Sequence, residues 1–154
     1  MLIRKFDKED TKHIMNLFRE TILTVNLGDY SPKQVEVWAN SNSNIVDWEM
    51  RLKNSVTYIA EVEPKLIVGF GNYNADSEID LFYVHKDFQR KGIGSALLNQ
   101  LEIGAKADGI KEIFTEASIT AKPFFESRGY EVLKKQTKHF NGADFVNYMM
   151  KKTL

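Results

Sequence analysis

Gln89-Arg90-Lys91-Gly92-Ile93-Gly94-Ser95 puts two cations, two glycines and a hydroxyl into seven residues, just after an apolar run that ends at Val84. Chemistry open to such a turn is the holding of an anion of the phosphate kind. A diphosphate that gives up its water needs donors, and a helix N-terminus supplies unpaired N–H groups at the positive end of the helix dipole. Gly92 and Gly94 carry no Cβ, so the backbone can come close to a ligand there. Arg90 can grip a phosphate through two parallel bonds, Lys91 adds a point charge, and Ser95 brings a hydroxyl to the first turn. The alternative is a plain strand-to-helix corner with a solvated basic face. Two widespread phosphate loops do not fit. No Gly-Lys-Ser/Thr follows a glycine at P-loop spacing, and Leu97 stands where a dinucleotide fingerprint needs its third glycine.

Glu78 and Asp80 form the second group. Strict alternation along "EIDLFYV" puts residues 78, 80, 82 and 84 on one strand face. Two carboxylates on one face of a central strand are costly unless solvated or paired, which suits the wall of a cleft. The plainer reading has Glu78 at a solvated strand end and Asp80 paired with a basic side chain.

The elements that must position these groups follow from pattern. "LIRKF" reads as a strand, and Asp7 or Asp10 as the cap of a helix bearing Ile14, Leu17, Phe18 and Ile22 at helical spacing. Ser31 and Pro32 read as the N-cap and first position of a second helix, and "NIVDWEMRLKN" as a third. "VTYIAEV" and "LIVGFGNYN" are β-rich runs joined by a turn at Glu63-Pro64-Lys65, and "EIDLFYV" follows a polar turn. A helix with Ile93, Leu97, Leu98, Leu101 and Ala105 on one face ends at Gly109. "KEIFTEA" is a strand, "TAKPFFESRG" a helix, and "YEVLKKQTKHF" and "ADFVNYMMKK" are closing antiparallel strands, with Asn147 or Tyr148 near the cleft. The order predicts an α/β fold around a mixed sheet, with residues 1–154 as a single domain.

Composition narrows the function. Lys plus Arg and Asp plus Glu are 21 each, so no global field draws in nucleic acid or an anionic membrane, and an anion site must be local. Cysteine is absent and the three histidines are scattered, which removes thiolate catalysis and predicts no metal site. The N-terminus "MLIRKFDKED" lacks a signal-peptide core, and no apolar run nears the roughly 20 residues of a membrane span, so the expected location is cytoplasmic.

The turn from Gln89 to Gly94 resembles the Q/R-x-x-G-x-G/A signature of the GNAT N-acetyltransferase superfamily, whose loop wraps the pyrophosphate of acetyl-CoA. "LFYVHKDFQRKGIGSALL" is similar to that family's strand–loop–helix core, with "LIVGFGNY" as the preceding strand. "EIFTEASITAKPFFESRGY" is similar to its next strand and helix, which commonly read N-x-x-A-x-x-x-Y-E-x-x-G-F. "YSPKQVEVWA" resembles the bacterial YafP-like branch. The resemblance implies a single-domain GNAT acyl-CoA N-acyltransferase fold, its mixed, mostly antiparallel central sheet flanked by helices. It implies transfer of acetyl from acetyl-CoA to a primary amine of a small molecule or peptide. A homodimer through the last strands is an arrangement open to the family.

Residue by residue, the resemblance gives the pyrophosphate to the loop from Gln89 to Ser95. Backbone groups of Phe82, Tyr83 and Val84 take the thioester carbonyl and pantetheine arm, and Ser118 and Phe124 join the cofactor site. Ser118 stands where asparagine is usual. An ammonium with a pKa near 10 must lose a proton before it attacks, so a base or a relaying water is needed. Glu78, six residues before Val84, matches the glutamate base of histone-type members; Asp80 is the second candidate and His85 the third. Phe125 occupies the position of the tyrosine that protonates the departing thiolate, and Tyr73, Tyr83 and Tyr130 are other phenols to consider. The alternative to an enzyme is therefore a non-catalytic acyl-CoA-binding regulatory or sensor module. Trp38 and Tyr30, with Trp48 and Phe18, belong to the half that covers the acceptor cleft, where aromatic rings suit a cationic amine.

Overall fold

The computed structural model describes residues 1–154. Its chain order is β1 (Leu2–Lys5), α1 (Thr11–Thr24), α2 (Pro32–Ala39), α3 (Ile45–Lys53), β2 (Val56–Glu63), β3 (Leu66–Tyr73) and β4 (Glu78–Val84). There follow α4 (Ile93–Ala107), β5 (Glu112–Ser118), α5 (Lys122–Ser127), β6 (Glu131–Phe140) and β7 (Ala143–Thr153). No helix is long and apolar enough to cross a membrane.

Helix starts have local causes. Ser31 Oγ accepts from the Gln34 N–H at 3.1 Å while Gln34 Oε1 accepts from the Ser31 N–H at 2.7 Å, a reciprocal cap that leads into Pro32. Asn44 Oδ1 caps α3 by accepting from the Val46 and Asp47 N–H groups. Ahead of α1 the two aspartates divide the work. Asp7 caps the short helical turn Lys8–Asp10, whereas Asp10 makes no cap bond to α1 and turns back to the Asp7 N–H and the Arg4 guanidinium.

Seven strands form one sheet in the order β1-β2-β3-β4-β5-β7-β6. Every neighbouring pair is antiparallel except β4 and β5, which are parallel and meet only at Glu78↔Phe114 and Ile79↔Thr115. Beyond those two pairs the strands diverge. A strand turns the N–H and C=O groups of every second residue to each side, so part of the Phe82–Val84 backbone faces the gap without a strand partner. The helices bury apolar stripes on opposite faces. Ile14, Leu17, Phe18 and Ile22 of α1 pack with Leu52, Phe70 and Leu81 on one face. Leu98, Leu101 and Ala105 of α4 pack with Ile79, Ile113 and Met150 on the other.

The expected shared face of residues 78, 80, 82 and 84 is corrected by a bulge. Tyr73 pairs with Ile79 and Asn72 with Leu81, so Asp80 is an extra residue opposite β3. Ile79 therefore packs toward α4, Leu81 toward α1, and Phe82 back toward α4 beside Phe124 and Phe125. Asn72, fully buried, mends the ladder: its Oδ1 accepts from the Leu81 N–H at 2.8 Å and its Nδ2 donates to Ser55 Oγ.

Candidate active site

A cavity of about 470 Å³ opens between the α1–α3 side and the sheet. Phe18, Tyr30, Trp38 and Phe145 supply an aromatic wall that continues into Tyr83 of β4. Tyr30 meets Trp38 edge-on at 5.5 Å between ring centroids, and Phe18 meets Tyr83 at 5.0 Å. The Tyr30 hydroxyl donates to the Val146 carbonyl at 2.6 Å and accepts from the Ile119 N–H at 2.9 Å, so only its ring is offered to the cavity. Trp48 is a packing residue, 2% exposed, with its Nε1 donating to the Asn42 carbonyl.

Charge in the cavity is mostly paired. Asp80 accepts from Arg51 Nε and Nη2, both at 2.7 Å, and Lys138 lies 3.0 Å from Glu116. Glu78 has no cationic partner within salt-bridge distance; its Oε1 accepts a long bond of 3.3 Å from Asn74 Nδ2. Burial pushes the Glu78 carboxyl up from its ordinary value; the Asn74 bond and the more distant Lys138 pull it down, while Asp80 and Glu116 push it further up. The net direction is up. The guanidinium on Asp80 is itself held more firmly protonated by that carboxylate. Asp80 is thus occupied on both oxygens, and Glu78 is the cavity carboxylate without a cationic partner.

At the loop, Gln89 Nε2 donates to the Val84 carbonyl at 2.6 Å and ties the turn to the end of β4. Gly92 sits at φ +82°, the left-handed region, directly ahead of Ile93, whose side chain is buried with Val68 and Leu97. The N–H groups of Ile93, Gly94 and Ser95 have no acceptor; the first bond of α4 runs from the Ala96 N–H to the Gly92 carbonyl. The two glycines serve different ends. Gly92 supplies the backbone angle, while a Cβ on Gly94 would lie 3.2 Å from Phe124 Cε1. Phe124 in turn stacks on Phe82 at 5.5 Å and carries the Arg128 guanidinium 5.5 Å from its ring centroid. Arg128 also donates to Ser95 Oγ.

The structure sorts the remaining candidates. His85 lies outside the cavity lining; its Nδ1 accepts from the Asp87 N–H at 3.1 Å and its ring meets Phe88. Phe125 is 1% exposed, packed among Phe82, Phe124 and Tyr130. Tyr73 donates to Asp108 and Tyr130 to Glu102, which leaves Tyr83 as the phenol among the three that borders the cavity. Ser118 lines the cavity, and its Oγ accepts from the Ala121 N–H. Asn147 lines it too, whereas Tyr148 is on the opposite face under Lys122. Arg51, Lys138, Glu116 and Arg128 were not singled out from the sequence. Each is a charged residue on an exposed-looking stretch, and only the fold brings it to the site.

Residues 26–153 match the family described as "Acetyltransferase (GNAT) domain". The chain belongs to the GNAT acetyltransferase family. This GNAT acyltransferase is 32% identical over 149 residues to "Uncharacterized N-acetyltransferase YafP" of Escherichia coli K12, covering 97% of this chain and 93% of that one. It is similar to the crystal structure of a GCN5-related N-acetyltransferase from Rhodopseudomonas palustris, with a TM-score of 0.94, 31% identity, and coverage of 99% and 95%. The PaiA N-acetyltransferase of Thermoplasma acidophilum, solved in complex with coenzyme A, shares the GNAT fold at a TM-score of 0.80 and 20% identity, with coverage of 99% and 98%. The expected mixed, mostly antiparallel GNAT sheet and the YafP-like relationship are both confirmed.

Proposed function

We propose that the protein transfers the acetyl group of acetyl-CoA to a primary amine of a small molecule or peptide, with Glu78 accepting the amine's proton. The observation that carries this reading is the edge of Phe82–Val84 that faces the gap to β5 without a strand partner, while the same residues stay paired with β3 on their other side. It runs from the free N–H groups at the start of α4 to the cavity that holds the unpaired carboxylate.

The chain's groups fit the parts of that reaction. Acetyl-CoA supplies an acyl group activated by a thiol leaving group. The N–H groups of Ile93, Gly94 and Ser95, with Arg90, Lys91 and Arg128 nearby, suit the pyrophosphate. Phe124 and the Phe82–Val84 edge border the path of the pantetheine arm, and N–H groups on that edge can polarise the carbonyl. Glu78, raised by burial, is better matched to proton uptake near neutral pH than an ordinary carboxylate. Glu78 first takes a proton from the ammonium; the neutral nitrogen then bonds to the acyl carbon, the carbon–sulfur bond breaks with its electron pair on sulfur, and the nitrogen sheds its second proton to water. A thiol of ordinary pKa, about 8.5, leaves tolerably as thiolate and takes its proton from water. No phenol is needed at Phe125 for this sequence of steps.

The test is release of CoA thiol across a panel of amines, alongside calorimetric binding of CoA. Thiol release that depends on the amine supports transfer. Full CoA occupancy with no release on any acceptor defeats it.

A further inference from the structure

Asn72 is 0% exposed on β3, a strand whose other buried side chains are Ile67, Val68, Phe70 and Tyr73. A polar side chain in such a place costs stability unless its bonds are made, and a complete network fixes one geometry. Here the bonds form a closed circuit. Asn72 Oδ1 accepts from the Leu81 N–H at 2.8 Å, and that N–H belongs to the peptide joining Asp80 to Leu81. Asn72 Nδ2 donates to Ser55 Oγ at 2.9 Å, and Ser55 Oγ donates to the Arg51 carbonyl at 2.8 Å, in the last turn of α3. The Arg51 guanidinium then closes on Asp80. One ion pair is thus joined twice, directly through its side chains and again through Asn72 and Ser55 behind them.

The circuit bears on a residue two positions away. Glu78 lines the same cavity as Arg51 and Asp80, and its charge reaches the guanidinium. The other charges that act on Glu78 are Asp80 on its own strand, Glu116 on β5 and Lys138 on β6, and Lys138 is held by Glu116. Tyr30 and Tyr83 are pushed up by burial and stay neutral, and α1 and α2 bring no charged group to the lining. A guanidinium released from Asp80 would find Glu78 as the cavity carboxylate without a cationic partner, and would draw its proton affinity down.

We infer that Asn72 and Ser55 are positioning residues of the acceptor cavity, which hold the Arg51 guanidinium on Asp80 and off Glu78. They touch neither substrate nor cosubstrate and act through Arg51. The inference rests on the reading of Glu78 as the group that accepts the amine's proton. It gives a task to a buried amide that packing alone would fill with an apolar side chain.

The test is titration of the Glu78 carboxyl by NMR in protein carrying isotope-labelled glutamate, with Glu78→Gln to assign the signal. Ser55→Ala breaks the circuit and is expected to lower the Glu78 midpoint by about one pH unit, the low end for a carboxylate that gains a nearby cation. Asn72→Leu, where it folds, is expected to do the same. Ser55→Thr keeps the hydroxyl and should keep the parent midpoint. On an Arg51→Met background, which leaves no guanidinium to move, Ser55→Ala should shift nothing further. A midpoint unmoved in Ser55→Ala overturns the inference, whatever the change in Tm, and so does an equal shift on the Arg51→Met background. The acid limb of amine-dependent thiol release keeps the two readings apart. A Glu78 midpoint that moves while the limb stays leaves the positioning role standing and removes Glu78 as the base. A limb lost in Glu78→Gln, with a midpoint unmoved by Ser55→Ala, does the reverse.

Discussion

Arg51 closes on Asp80 through two hydrogen bonds of 2.7 Å, and Asp80 is the residue at which β4 bulges away from β3. The bulge adds a residue to β4 there, and Asp80 spends both carboxylate oxygens on the guanidinium offered by α3. Glu78, two residues earlier and lining the same cavity, has only a long side-chain bond to Asn74. A cationic partner for one and none for the other thus distinguishes two carboxylates that share the cavity and look alike in sequence.

Glu78→Gln is expected to lower kcat/KM by about 10²-fold or more, the scale of a lost general base. Its effect on stability has the opposite sign. Because the folded carboxyl is raised, the fold binds a proton that the unfolded chain has already released. Glu78 therefore detracts from stability as pH rises above the ordinary carboxylate value. The glutamine variant should melt no lower than the parent at neutral pH. A parent-like rate at saturating acetyl-CoA would remove Glu78 from the mechanism.

The neighbours of Glu78 should move the acid limb of the pH–rate profile in opposite directions. Glu116 pushes the Glu78 carboxyl up and Lys138 pulls it down. Glu116→Gln is expected to shift the acid limb of kcat/KM to lower pH, and Lys138→Met to higher pH. Shifts of the same sign, or none, would mean that a different group titrates.

Gly92→Ala and Gly94→Ala should part company. At φ +82° an alanine is strained by about 1 kcal/mol, so Gly92→Ala should lower Tm as well as CoA affinity. An added Cβ on Gly94 presses on the Phe124 ring at 3.2 Å, and should weaken CoA binding with a smaller change in Tm. Calorimetry with CoA and a melting curve for each variant check both. Undiminished affinity in both variants would refute the loop's proposed role.

Asp10 links the fold to acid. Burial alone would raise its carboxyl, but the Arg4 fork and the Asp7 N–H outweigh burial and hold it below the ordinary value. The unfolded chain therefore takes the proton first. This contribution is complete above the ordinary carboxylate pKa and disappears as pH falls through the lower folded value. Asp10→Asn should cost about 1–3 kcal/mol at neutral pH and flatten the loss of stability in acid, as read from urea melts across pH.

Much of this was legible before any coordinates. Caps, apolar spacing and turn residues placed the strands and helices, because those signals act within a few residues of one another. The loop motif was legible for the same reason. The bulge at Asp80 was not, although Ile79 and Phe82, apolar and three apart on a strand, carry its trace. Whether such a pair marks a bulge or a strand buried on both faces depends on Asn72 in the neighbouring strand. Arg51 and Lys138 were invisible because their partners lie 29 and 22 positions away, and nothing local marks a lysine or arginine as paired. The close approach of Phe124 to Gly94 was not legible either, since that ring comes from a helix 30 residues on.

The seam between β4 and β5 has a mechanical consequence. Two register pairs join the strands β1–β4 to the strands β5–β7, so this is where the sheet has least to hold it closed. A ligand lodged in the gap would touch both halves and act as a splint. Its arrival should appear as slowed amide exchange along Phe82–Val84 and the end of β5, far more than in the long β6–β7 ribbon, which is already laced along its length.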